Sequence, residues 1–152
     1  MKTFFRFRRS HLEAALVAFV ITLCAGGAFA KSGSGPIISV TVSPDRITNE
    51  GEDAAFTFTL SAPAPRRILL NFLISGFPVE VPDSDFVLVG NFNKFGQLII
   101  PAGQTTATIV LHSFVEDVEA PSTENFVLEI VNGGRYRVGS PSRAELHIDN
   151  LK

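Results

Sequence analysis

The chain has 152 residues, 45% of them hydrophobic and 18% charged, with 14 Phe, no Trp and a single Cys. One domain is the default at this length, and the composition excludes a disordered or low-complexity chain, because it can bury enough apolar surface to offset chain entropy. The formal charge is −2, and after residue 30 there is no basic patch of the kind that binds nucleic acid.

Residues 1–30 read as a cleavable signal peptide. Lys2, Arg6, Arg8 and Arg9 form a cationic start, Ala14 to Cys24 is an apolar run, and Ala28-Phe29-Ala30 supplies the small-x-small pattern of a signal peptidase site. The run is shorter than the roughly 20 residues needed to span a bilayer. Extended to Ala30 it could serve as a retained anchor, which is the secondary reading. Leu23 before Cys24 argues against lipidation. Export to the periplasm or the extracellular space is therefore expected. Residues 31–152 carry 9 basic and 14 acidic side chains, a formal charge of −5, and no Cys. The domain must be held by its core without disulfides.

After a short linker, 31–36, the hydrophobic period is two. Ile37–Val42 is β-branched and stops at Pro44. Phe56–Leu60 alternates Phe and Thr, and Ile68–Leu73 is a more continuous apolar run. Gln97–Ile100 leads into the turn Pro101 to Gln104, and Thr106–Phe114 follows. Phe126–Val131 places Phe126, Leu128 and Ile130 on one face. Arg143–Ile148 points Ala144, Leu146 and Ile148 inward. No helical spacing with a capping pattern occurs in this part of the chain. The expected fold is all-β, a seven-stranded antiparallel immunoglobulin-like β-sandwich over 37–150.

Strict antiparallel order sorts the connections into two poles. Twelve of the 14 acids after residue 30 fall at one of them: Asp45, Glu50, Glu52 and Asp53; Glu80, Asp83 and Asp85; Glu116, Asp117, Glu119 and Glu124; and Asp149. The other pole has no acid and collects Arg66, Arg67, Arg135 and Arg137. Converging carboxylates repel one another unless water, basic groups or a cation compensates. Ca²⁺ takes six to eight oxygen ligands of this kind. With no Cys and only His112 and His147 after residue 30, soft-metal sites lack ligands. A solvated acidic surface that keeps the protein soluble is the alternative.

Several pieces, in this order, resemble the Calx-beta domain, the Ca²⁺-sensing module of sodium–calcium exchangers that also occurs in extracellular adhesion proteins. They are Asn49-Glu50-Gly51 before the Phe/Thr strand, Asp83-Ser84-Asp85-Phe86, and Gln97 to Ile100 with Pro101-Ala102-Gly103-Gln104-Thr105. Glu116-Asp117-Val118-Glu119, Glu124-Asn125-Phe126, Gly139-Ser140-Pro141-Ser142 and Ile148-Asp149-Asn150 complete the series. The resemblance implies the family's sandwich and Ca²⁺ bound at loop ends. Carried over by position, Glu50, Asp85, Glu116, Asp117, Glu119 and Asp149 are the candidate metal ligands, with Asp83 and Asn150 in reserve. The family's run of three Asp is here Val115-Glu116-Asp117, and its acidic run after the last strand is here Asp149-Asn150-Leu151-Lys152. Fewer carboxylates imply weaker binding, near the 10⁻⁴–10⁻³ M order of extracellular modules.

No nucleophile–base–orienter set can be assembled, so a non-enzymatic binding module is expected. Alternation places His112 and His147 on outer faces. Phe77, Phe92 and Phe95 lie in the connection before Gln97, either folded back over the sandwich edge or exposed to a partner. The competing reading of the whole chain is a metal-free structural or adhesion module that binds an unknown protein or surface partner through a strand edge or this Phe-rich 77–95 connection.

Overall fold

A computed structural model describes residues 3–6 (backbone only), 35–48, 51–76, 86–113 and 123–149. The described residues form strands and turns with no helix. Two sheets face one another. In the first, β4 (Asp53–Leu60) is central, paired antiparallel with β2 (Ile37–Ser43) on one side and β9 (Thr106–Ser113) on the other, through Phe58↔Val40 and Phe58↔Ala107. Beyond β9 lies β7 (Phe86–Gly90), and beyond that β1 (Thr3–Arg6). The second sheet is built on β10 (Thr123–Ile130), flanked by β12 (Arg143–Asp149) and β6 (Phe72–Ser75). A small third sheet pairs β5 (Ile68–Leu70) with β8 (Leu98–Ile100).

The alternating residues meet between the sheets. Phe56, Phe58, Ile109 and Leu111 from the first sheet and Phe126, Leu128 and Leu146 from the second are all fully buried. The Phe126 ring sits 5.2 Å from Phe56 and packs edge-on against Phe86 at 5.4 Å, so one side chain joins three strands. Such aromatic pairs contribute about 0.5–1.5 kcal/mol beyond the area they bury.

Four features depart from the simple seven-strand order. Ile68–Leu73 is not one strand: it breaks at Asn71, which leaves the third sheet and joins β10. The Asn71 N–H donates to the Tyr136 hydroxyl (3.1 Å) instead of a ladder carbonyl, and the Asn71 carbonyl accepts from Val131 N (3.0 Å). Phe86–Gly90, read from sequence as connection, is a strand with Phe86 and Leu88 buried. Two short pairings are parallel: β11 (Arg137–Val138) on β2, and β3 (Arg46–Ile47) on β12. Finally, Thr3–Arg6, in the segment expected to be a signal peptide, covers the outer edge of β7 through Phe5↔Leu88. A chain cleaved after Ala30 loses β1 and leaves that edge bare.

The polar arrangement survives these changes. β7 starts beside the end of β9 (Phe86↔Ser113), and β8 runs antiparallel to β5. Together β7 and β8 therefore make a single crossing from one pole to the other, interrupted by the turn 91–97. That turn carries the Phe-rich connection in two halves. Phe92 is folded inward against Phe72 (6.2 Å), whereas Phe95 is 62% exposed, with the Lys94 ammonium 5.0 Å above its ring. Phe77 lies outside the described residues.

Candidate functional site: a domain with two charged poles

At the first pole seven strands come together. Asp53 pairs with His112, Ser113 with Phe86, Thr123 with Asp149, Ser75 with Val127 and Arg46 with His147. The connections 44–52, 77–85 and 114–122 therefore all attach at one end of the domain. Ser113, 5% exposed, fastens the first of them: its hydroxyl donates to the Glu52 carbonyl (3.0 Å) and accepts from Gly51 N–H (3.1 Å). Asp45 is held from the other side, where its carbonyl accepts from His147 N–H (2.9 Å). Backbone hydrogen bonds of this kind fix where a loop leaves its strand.

Of the six candidate ligands the structure describes one. Asp149 ends β12, and its Oδ1 and Oδ2 accept from Arg46 Nη1 at 2.7 and 2.6 Å. Glu50, Asp85, Glu116, Asp117 and Glu119, and the reserves Asp83 and Asn150, lie outside the described residues. Among the described residues no three His, Cys, Asp or Glu side chains converge as a metal site. Arg46 is the residue that the carry-over passed over. It follows Asp45 in Pro44-Asp45-Arg46, and only the two-residue parallel pairing of β3 with β12 brings it to Asp149. Both histidines flank this pole on outward-facing strand positions. His112 Nδ1 meets Asp53 Oδ1, and His147 Nδ1 donates to Asn125 Oδ1 at 2.6 Å.

The second pole is formed by the turns 61–67, 101–105 and 131–142. Ala64 N–H donates to the Gln104 carbonyl (2.9 Å) and Gly103 N–H to the Ala64 carbonyl (2.8 Å). Tyr136, 3% exposed, anchors the third turn: its hydroxyl donates to the Val131 carbonyl while accepting from Asn71 N–H. Burial raises the Tyr136 pKa above its usual range, opposed by its hydrogen bonds to Asn71. Gly133 is required by this packing, since a Cβ there would lie 2.3 Å from the Tyr136 ring. Arg66, Arg67, Arg135 and Arg137 are exposed at this pole, and Arg135 Nη1 donates to the Arg67 carbonyl at 3.3 Å. None of the three turns contains an acidic residue.

No protein-family model and no curated protein matches the sequence. Solved structures do. The Pseudomonas fluorescens alkylpurine DNA glycosylase AlkC bound to DNA containing an abasic site analog shares 19% identity over 78% of this chain and 32% of its own. Its TM-score is 0.43. The apo-form Calx CBD1 domain matches at a TM-score of 0.50 and 14% identity, over 76% of this chain and 99% of its own. This chain is thus similar in fold to a Calx-beta domain along nearly the whole length of that domain.

Proposed function

We propose that the chain is an exported, non-enzymatic Calx-beta-like module whose acidic pole binds Ca²⁺ weakly and, once ordered, contacts a protein or surface partner. The observation that supports this reading is the convergence of strand ends. It attaches three acid-bearing connections and Asp149 to one end of the domain. The candidate ligands remain Glu50, Asp85, Glu116, Asp117, Glu119 and Asp149. Bound Ca²⁺ would relieve their mutual repulsion and cross-link the connections that carry them.

One observation favours the metal-free reading. Arg46 already neutralises Asp149, so part of the charge compensation is internal, and a cation at Asp149 would share its carboxylate with Arg46 or displace it. A metal-free adhesion module would then present a strand edge or Phe95.

A thermal melt in chelator, in 10 mM Ca²⁺ and in 10 mM Mg²⁺ separates the two. At ten to a hundred times its dissociation constant, a ligand specific to the folded state adds about 1.4–2.7 kcal/mol. At about 4 °C per kcal/mol for a domain of this size, that is a rise of roughly 5–11 °C. Asp117→Asn with Glu119→Gln should abolish a Ca²⁺-selective rise. No rise in the parent protein rejects the calcium reading. Mass spectrometry of the exported protein reports whether its N-terminus is Lys31.

A further inference from the structure

We propose that the arginine pole is a docking surface for an anionic membrane, with Arg66, Arg67, Arg135 and Arg137 engaging lipid phosphate groups. Residues 31–152 carry a formal charge of −5, yet this end of the domain concentrates four arginines with no acid in the turns that hold them. The ion pairs among the described residues are Arg46–Asp149, His112–Asp53 and Arg143–Glu145, and none of them uses these four guanidinium groups. Arg135 and Arg67 come from turns far apart in sequence and are brought together by the hydrogen bond between them. The turns are tied down by Tyr136 and by the Ala64–Gln104 backbone pairing, so little side-chain support is lost on docking. Arginine suits the task, because its planar fork matches phosphate oxygens and sheds water more readily than an ammonium.

Two observations select a membrane over other anionic partners. The first is the separation of charge. β4 and β9 run eight residues from pole to pole, about 26 Å at 3.3 Å per residue, which is some three Debye lengths at physiological salt. Against a planar anionic surface, the arginine end can approach while the acids stay beyond the range of repulsion. The second is where the chain joins the sandwich. Pro36 accepts from Arg137 N–H (3.0 Å), Gly35 lies against the Arg135 carbonyl, and Ile37 N–H donates to Ser61 Oγ (2.9 Å). The apolar run that ends at Ala30 stops five residues before Gly35, a reach of under about 20 Å for an extended chain. While that run is still attached, a bilayer that receives it lies within reach of this pole.

The exported protein, with the N-terminus that mass spectrometry reports, is mixed with vesicles of 30% phosphatidylglycerol in phosphatidylcholine, or of phosphatidylcholine alone. Binding is measured by flotation at 50 and 500 mM salt, and the readout is the anionic-to-neutral ratio of bound protein. The parent should show a ratio well above one at low salt that collapses at high salt. At about 1 kcal/mol per arginine, or roughly fivefold each, Arg135→Gln with Arg137→Gln should lower the anionic partition about 25-fold. Arg66→Gln with Arg67→Gln, on a separate turn, should do the same and guards against a folding defect in either pair. Lys94→Gln, away from the pole, should change it less than twofold. A ratio of one at 50 mM salt overturns the proposal. So does a low-salt self-association without vesicles that the same arginine pairs abolish, because the occupant would then be a second copy of the chain.

Discussion

Replacing Tyr136 by Phe removes one oxygen atom and leaves the ring that fills the space beside Gly133. No cavity forms, so the cost isolates the hydroxyl. That hydroxyl serves two backbone groups, donating to the Val131 carbonyl and accepting from Asn71 N–H. Both partners are part of how β5 and β6 separate at Asn71 and how the 131–142 turn is held. A net hydrogen bond contributes about 1 kcal/mol, and a buried group left without a partner costs about 1–3 kcal/mol. The Val131 carbonyl and the Asn71 N–H both lose their Tyr136 partner. The sum is about 2–4 kcal/mol, or roughly 8–16 °C in the melting midpoint at about 4 °C per kcal/mol. Urea unfolding of both proteins should show the midpoint falling with an unchanged slope, since the surface exposed on unfolding is the same. A loss under about 0.5 kcal/mol, below the usual range for one hydrogen bond, would refute the assignment of Tyr136 as the tie at this end.

Tyr136 is the single tyrosine of the chain, so phenolate absorbance near 295 nm should report it alone. Burial raises its folded pKa above the unfolded value of about 10. Its contribution to stability is therefore complete below pH 10 and lost as pH rises through the folded value. Ionisation and unfolding should coincide above pH 10, and a free titration near 10 in the folded protein would contradict the buried geometry. Gly133→Ala should destabilise by about 1–3 kcal/mol through overpacking against the Tyr136 ring, whereas Gly134→Ala, where a Cβ meets nothing within 4 Å, should cost far less; equal losses by urea unfolding would overturn the close-approach reading. If Asp149 exchanges Arg46 for a cation, Arg46→Gln should enlarge the Ca²⁺-dependent thermal shift and Asp149→Asn should reduce it. An unchanged shift in both would remove Asp149 from the ligand set.

Much of the fold is legible in the residues because a half-buried strand writes its burial directly into a period of two. Phe56, Phe58 and Leu60, Phe126, Leu128 and Ile130, and Ala144, Leu146 and Ile148 are all buried as the alternation predicts. Phe86–Gly90 also carried a signal, an aromatic and β-branched run, but lay among acids and glycines that read as a loop. The break at Asn71 was not legible, since it depends on Tyr136, 65 residues away. Neither was the Arg46–Asp149 pair, which separates by 103 residues in sequence and meets through a two-residue parallel pairing. Short pairings of that kind are made by backbone groups and leave no hydrophobic period behind.

The sequence by itself determined the all-β class, the inward faces of the main strands and the separation of acids from arginines into two sets of turns. These follow from local alternation and from counting chain reversals, and neither needs a distance. Only the tertiary structure decided that β7 and β8 form one crossing, so that the acids of 80–85 still attach at the acidic end. It also decided that Asp149 is already neutralised, and that Arg67 and Arg135 stand side by side where the chain joins the sandwich. Each of these depends on which strand lies beside which, and pairing is fixed by long-range backbone hydrogen bonds and core packing rather than by any residue's neighbours in sequence.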